Sequence, residues 1–140
     1  MAKVAFDALL ASPCYADLTA ANASRDRAAF VKCSDEIDVM SQSADGRMTA
    51  QIACTKAVTF YSNKADTARN ENDSCYYSLY AGSSMERLGY IMKSSLNQTG
   101  SKKAYALGDK ILSMVISECP HEPNIVNAAK GVLRASRAMR

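Results

Sequence analysis

The sequence predicts an all-α protein, and three observations lead to this fold class. Its 140 residues include 23 Ala and 16 Ser but only 6 Gly and 3 Pro, a composition that favours helices over sheets. Apolar residues recur at steps of three and four, the period of a helix with one buried face. No segment shows the apolar–polar alternation between hairpin turns that indicates a strand. We expect one compact bundle of five or six helices with short loops.

A single domain, residues 1–140, is expected because the length matches that of one compact unit and 48% of the residues are hydrophobic. Residues 1–24 are expected to form a less regular N-terminal segment. The predicted helices then span 25–43, 47–69, 75–96, 102–118 and 123–139.

The helix ends and faces follow from local residues. Asp45-Gly46 is expected to break the chain, and Asp73 or Ser74 to cap the third helix. The apolar spacing predicts buried positions on the second helix for Met48, Ile52, Val58 (or Ala57) and Tyr61. On the third helix it predicts a buried position for Leu96. Within the third helix, the glycines at 82 and 89 indicate either close packing against a neighbouring helix or room for a flat ligand, and packing is favoured.

Composition excludes several functions. The net charge is +3, and only the last helix carries a basic stripe, so no nucleic-acid partner is predicted. Because the sequence has a single histidine, His121, it excludes His-rich metal sites and mechanisms that need two histidines. Phosphate-binding glycine loops are absent from the sequence, as is an apolar run long enough for a membrane span. Without a catalytic constellation, the chain is not expected to be an enzyme.

The densest aromatic patch covers residues 75–80 and 85–90, with Tyr76, Tyr77, Tyr80, Arg87 and Tyr90. Its rings either pack inside with their hydroxyls at the rim, or line a slot for a planar ligand together with small residues and a guanidinium group. The residue pattern favours the first interpretation.

Five cysteines leave at least one thiol outside any intrachain disulfide framework. No two are spaced as CxxC, which disfavours a redox pair and a zinc knuckle. Three uses stay open: buried inert thiols, two disulfides with a spare thiol, or thioether bonds to a tetrapyrrole. The sequential candidates for disulfides are Cys14–Cys33 and Cys54–Cys75.

A tetrapyrrole held by one sulfur also needs a carboxylate for its pyrrole N–H groups and basic residues for its propionates. Carboxylates follow two of the cysteines: Asp17 follows Cys14, and Asp35 follows Cys33. Basic residues flank the cysteines at Arg27, Arg69 and Arg87.

Cys14-Tyr-Ala-Asp17, Lys32-Cys33-Ser-Asp35 and Cys75-Tyr-Tyr make the chain resemble chromophore-bearing phycobilisome proteins of red-algal type, the rod linker or gamma subunit of phycoerythrin. Phycobiliproteins attach bilin at a Cys-x-Arg-Asp motif, and the first piece keeps its Cys and Asp. The resemblance implies a pigmented, non-enzymatic linker inside a phycobiliprotein ring, on the stromal side of the plastid thylakoid. Its bilin would be of the phycoerythrobilin or phycourobilin type.

Two functions are therefore expected. The first is a bilin-carrying linker of a light-harvesting complex, attached through Cys33, Cys75 and Cys14. Asp17 and Asp35 would accept the pyrrole hydrogens, and the propionates would pair with Arg27, Arg69 and Arg87. The alternative is an exported, periplasmic or secreted helical binding protein of the inhibitor or immunity type, in which the same cysteines form structural disulfides.

Overall fold

Helices make up almost all of the described chain, which confirms the predicted all-α class. The computed structural model describes residues 26–140, with side chains from Phe30 onward, and contains no strand in this range. The predicted N-terminal segment, 1–24, lies outside the described residues. The five helices are α1 (Asp26–Met40), α2 (Ala44–Asp66), α3 (Glu71–Ser94), α4 (Gln98–Glu118) and α5 (Pro123–Met139).

Helix α3 is central to the bundle. It packs most extensively against α2 and α4, and α5 contacts both α3 and α4. Helix α1 lies against α2 and reaches α3 through Phe30, whose ring stacks on Tyr80 with centroids 4.7 Å apart. The largest fully buried side chains of the core are Tyr61, Tyr80, Ile91, Leu112 and Ile125.

The two glycines of α3 lie against side chains of α4, as the packing interpretation of the sequence predicted. A Cβ at Gly82 would lie 2.7 Å from Leu112 Cδ2, and a Cβ at Gly89 would lie 2.9 Å from the ring of Tyr105. The Ser101 hydroxyl donates to the Gly89 carbonyl at 2.7 Å. A Cβ at either position would force the facing side chains of α4 to shift, at a cost in stability.

The predicted break at Asp45-Gly46 is wrong, because both residues belong to the first turn of α2. Ser43 is the N-cap, and its hydroxyl accepts from the Gly46 amide at 3.0 Å. A Cβ at Gly46 would meet the Met40 carbonyl, so glycine allows α1 and α2 to meet in a tight turn.

The ends of α3 also differ from the prediction. Asn70, rather than Asp73 or Ser74, caps the helix, and its side-chain oxygen accepts from the Asp73 amide at 2.8 Å. Leu96 lies beyond the last turn in the left-handed region, with φ 63°, and is 87% exposed instead of buried. Its amide donates to the Lys93 carbonyl in the hydrogen-bond pattern that commonly ends helices.

The predicted buried face of α2 is confirmed at Tyr61 and at Ala57, the alternative to Val58, and it is wrong at two larger residues. Met48 and Ile52 are exposed by 63% and 42%. The residues that face the core are smaller, namely Ala50, Ala53, Cys54 and Ala57. Small side chains let α2 approach α3 closely, and the larger apolar residues of α2 lie outside this contact.

Candidate functional site

A groove with a volume of about 640 Å³ opens between α1, α3 and α5, and the start of α2 contributes Arg47 to its lining. We call it the α1–α3–α5 groove. Its apolar lining comes from all three helices: Phe30, Tyr90, Val132, Ala135 and Met139. Serines complete the lining on α3 and α5, and Ser41 and Gln42 reach it from the turn after α1. A concave site of this size and composition is typical of small-molecule binding sites.

Two guanidinium groups line the groove, and they differ in their partners. Arg87 is paired with Asp38, with 2.8 Å between Nε and Oδ1. Arg47 donates through Nε to the Ser41 carbonyl at 3.2 Å. Among residues 30–140, no carboxylate lies within ion-pair distance of Arg47. Within the described part of the chain, no acidic side chain therefore balances the positive charge of Arg47.

Glu86 is a buried carboxyl group in the wall of the groove, with a side chain only 3% exposed. Its Oε2 accepts from the Ser136 hydroxyl at 2.7 Å and from Arg140 Nη2 at 3.1 Å. Its buried Oε1 has no hydrogen-bond donor among the described residues. Burial, followed by the neighbouring Asp109 carboxyl, raises the pKa of Glu86 to about 7. A proton on this carboxyl removes the repulsion between its charge and that of Asp109.

Arg140, which follows the last residue of α5, contacts both carboxyl groups, Glu86 on α3 and Asp109 on α4. It forms a two-point contact with Asp109 and lies over the ring of Tyr105, 4.4 Å from its centroid. The hydrogen bond from Arg140 holds the pKa of Asp109 below its ordinary value. The cluster of Glu86, Asp109, Ser136 and Arg140 thus links α3, α4 and the end of α5.

The sequence reasoning missed this cluster, although one signal was present. Glu86 lies at helical steps from Leu79, Gly82 and Gly89, on the face of α3 that is otherwise apolar or small. A charged residue on such a face is rarely buried without a partner. The neighbours of Glu86 in this cluster, Asp109 and Arg140, could not be found in this way because they come from other parts of the sequence.

Cys75, in the first turn of α3, forms a disulfide with Cys119 at the end of α4, with 6.2 Å between the Cα atoms. The predicted pair Cys54–Cys75 is therefore wrong. Cys54 lies buried in the middle of α2 as a free cysteine. Cys33 is also disulfide-bonded, and its predicted partner Cys14 lies outside the described residues.

These sulfur states bear on the predicted bilin attachment. A sulfur in a disulfide has no thiolate to add to a tetrapyrrole, and both Cys33 and Cys75 are in disulfides. Burial raises the pKa of Cys54 to about 12, so its thiol stays protonated. The thioether bonds stay a prediction, and they would require one of these disulfides to be absent or Cys14 to carry the pigment.

The other predicted site residues are not brought together. Asp35 is exposed on α1, and Arg69 is exposed in the turn between α2 and α3. Asp17 and the side chain of Arg27 lie outside the described residues. Arg87 lines the groove, but it is separated from Cys75 by about 18 Å along α3, at about 1.5 Å per residue.

The tyrosines of the aromatic patch lie in two different environments, the core and the groove. Tyr76, Tyr77 and Tyr80 belong to a cluster of rings with Phe30 and Tyr61, as the packing interpretation expects. Tyr90 is half exposed and lines the groove with Arg87.

No protein-family model, curated protein or solved structure matches the chain. The helices described between residues 26 and 140 include none with an apolar stretch long enough to cross a membrane. In the same range, no group of three or more His, Cys, Asp or Glu side chains is arranged to hold a metal ion.

Proposed function

We propose that the chain is a disulfide-stapled, non-enzymatic helical binding protein that holds a small amphipathic molecule in the α1–α3–α5 groove. The observation that carries this proposal is the groove itself. Its volume of about 640 Å³ lies within the usual range for small-molecule sites, about 300–1,000 Å³. Its concave shape favours a small molecule over the protein partner of an inhibitor or immunity protein.

The scaffold supports the proposal because it holds the walls of the groove in place. The hydrogen bond from Ser136 to Glu86 joins α5 to α3, two walls of the groove, and the Cys75–Cys119 disulfide joins α3 to the end of α4 outside the groove. Cys33 adds a second disulfide on α1. A site that exists before binding loses little conformational entropy when a ligand enters.

The disulfides also support an exported location, periplasmic or secreted. Disulfides persist in oxidising compartments and are rare in the cytosol. The predicted plastid linker has less support, because it requires sulfurs that are bonded elsewhere to react with the pigment. A visible absorption band that survives denaturation, with mass added at a cysteine, would favour the linker.

The proposal is tested with Nile red, a neutral dye whose fluorescence rises in an apolar environment. We expect saturable binding to the full chain. Ala135 lines the groove and is exposed, so Ala135→Trp fills the groove from α5 and should abolish binding. The matched control is Ala138→Trp, the same change at an exposed position of α5 that does not line the groove.

Loss of dye binding in Ala135→Trp, with binding retained in Ala138→Trp, supports the proposal. Absence of saturable binding to the unmodified chain overturns it. Equal binding by the two variants also overturns it, because the dye would then bind outside the groove.

A further inference from the structure

We infer that the ligand of the α1–α3–α5 groove is an amphipathic anion, a carboxylate on an apolar chain, whose head group binds Arg47. This inference rests on the proposed function and adds the charge of the ligand and the residue that selects it.

Arg47 offers a site for a carboxylate. It is half-buried in the first turns of α2, and its one hydrogen bond within the described part of the chain uses Nε. Its two Nη nitrogens are therefore available to a ligand. The guanidinium group is planar and pairs with a carboxylate through two parallel hydrogen bonds, which makes arginine more selective for this head group than lysine.

The other charged groups in the lining are already compensated. Arg87 is neutralised by Asp38, and Glu86 is contacted by Arg140. The raised pKa of Glu86 further reduces its negative charge near neutral pH. The lining therefore carries an excess of positive charge, located at Arg47, and this excess is complementary to one carboxylate.

The charged group proposed to bind the ligand and the apolar lining residues lie at different positions along the groove. Arg47 donates to the Ser41 carbonyl, and the Ser41 hydroxyl donates to the Asp38 carbonyl, so these groups lie together at the end of α1. Phe30 lines the groove about 12 Å away along α1, at about 1.5 Å per residue. Val132 and Met139 extend the apolar lining along α5. This arrangement fits one anionic head group with an extended apolar tail.

The test compares decanoate with decan-1-ol, which share a tail and differ in the head group. Each is used to displace Nile red from the full chain. We expect decanoate to bind about tenfold more tightly, the effect of one charge-assisted two-point contact. Arg47→Gln should remove this preference and leave the affinity for decan-1-ol within about twofold.

Arg134→Gln is the matched control, because it removes the same charge from an exposed residue of α5 that lies outside this groove. It should retain the preference for decanoate. Arg47→Lys keeps the charge and should retain part of the preference. If Arg47→Gln loses both ligands, Arg47→Lys decides: a retained preference supports the inference, and equal affinities overturn it.

Equal displacement by the two compounds from the unmodified chain overturns the inference. An unchanged preference in Arg47→Gln also overturns it. Neither result affects the proposed function as long as Nile red still binds and Ala135→Trp still prevents this. Failure of Nile red itself to bind would instead overturn the proposed function, and this inference with it.

Discussion

Arg87 on α3 and Asp38 on α1 form a two-point ion pair in the wall of the groove, with 2.8 Å between Nε and Oδ1 and 3.4 Å between Nη2 and Oδ2. Both side chains are partly exposed, so the pair contributes at most about 1 kcal/mol to stability. The main effect of this ion pair is on the charge of the groove, because Asp38 neutralises the positive charge of one of the two guanidinium groups in the lining.

Removing this acid should therefore strengthen anion binding. In Asp38→Asn, Arg87 becomes a second uncompensated cation, and we expect the affinity for decanoate to rise about threefold to tenfold. Displacement of Nile red measures the change. Asp35→Asn is the control, since Asp35 is exposed on the same helix and does not line the groove. An equal rise in both variants would contradict a local effect at Arg87.

The Cys75–Cys119 disulfide should contribute substantially to stability. It closes a loop with a sequence separation of 44, which corresponds to about 4 kcal/mol in the chain-entropy model. We expect the double variant Cys75→Ser, Cys119→Ser to lose about 2–4 kcal/mol of unfolding free energy. Urea denaturation without reductant measures this loss. An unchanged midpoint and slope would show that the bond is not formed in the protein.

Two glycine-to-alanine substitutions should have opposite effects on stability, because only one of them lies in the close contact between α3 and α4. Gly89→Ala places a Cβ against the Tyr105 ring and should destabilise the protein by about 1–3 kcal/mol. Gly131→Ala is the control, because no atom lies within 4 Å of a Cβ there, and it should stabilise α5 by about 0.5–1 kcal/mol. Thermal denaturation distinguishes them. Stabilisation by Gly89→Ala would contradict the close approach.

The buried carboxyl of Glu86 predicts a pH dependence of stability. Its pKa rises from 4.5 to about 7 on folding, so between these values the folded state holds a proton that the unfolded state has lost. The contribution of Glu86 to stability is therefore fully present below about pH 4.5 and is lost as the pH rises to about 7.

Glu86→Gln should remove this part of the slope, because the amide stays neutral at every pH. Urea denaturation at intervals between pH 5 and pH 8 measures it. Glu118→Gln makes the same change at an exposed side chain of α4 and should keep the slope of the unmodified protein. A slope that persists in Glu86→Gln would assign the effect to other groups.

The helices were predictable because their signals are local. The predicted range 123–139 for the last helix is confirmed, since Pro123 fixes its start and the apolar residues follow one face. The second helix shows the limit of such signals. Its large apolar residues Met48 and Ile52 fit a helical period, but a close neighbour made the small residues the buried ones.

The groove could not be predicted because it depends on contacts between distant segments. Phe30, Arg87 and Val132 line it from three helices, and nothing in their sequence spacing relates them. The pairing of Cys75 with Cys119 has the same origin. It requires α3 and α4 to run side by side in opposite directions, whereas the predicted pair Cys54–Cys75 relied only on sequence order.

The location of bound decanoate, followed by NMR through the backbone amide shifts of the full chain, tests the binding account most directly. We expect the largest shifts at Arg47, Tyr90 and Val132, on three different helices that share the groove. Largest shifts at Ser113, Lys130 and Arg134, which line a separate depression between α4 and α5, would contradict it. So would the absence of saturable shifts anywhere in the chain.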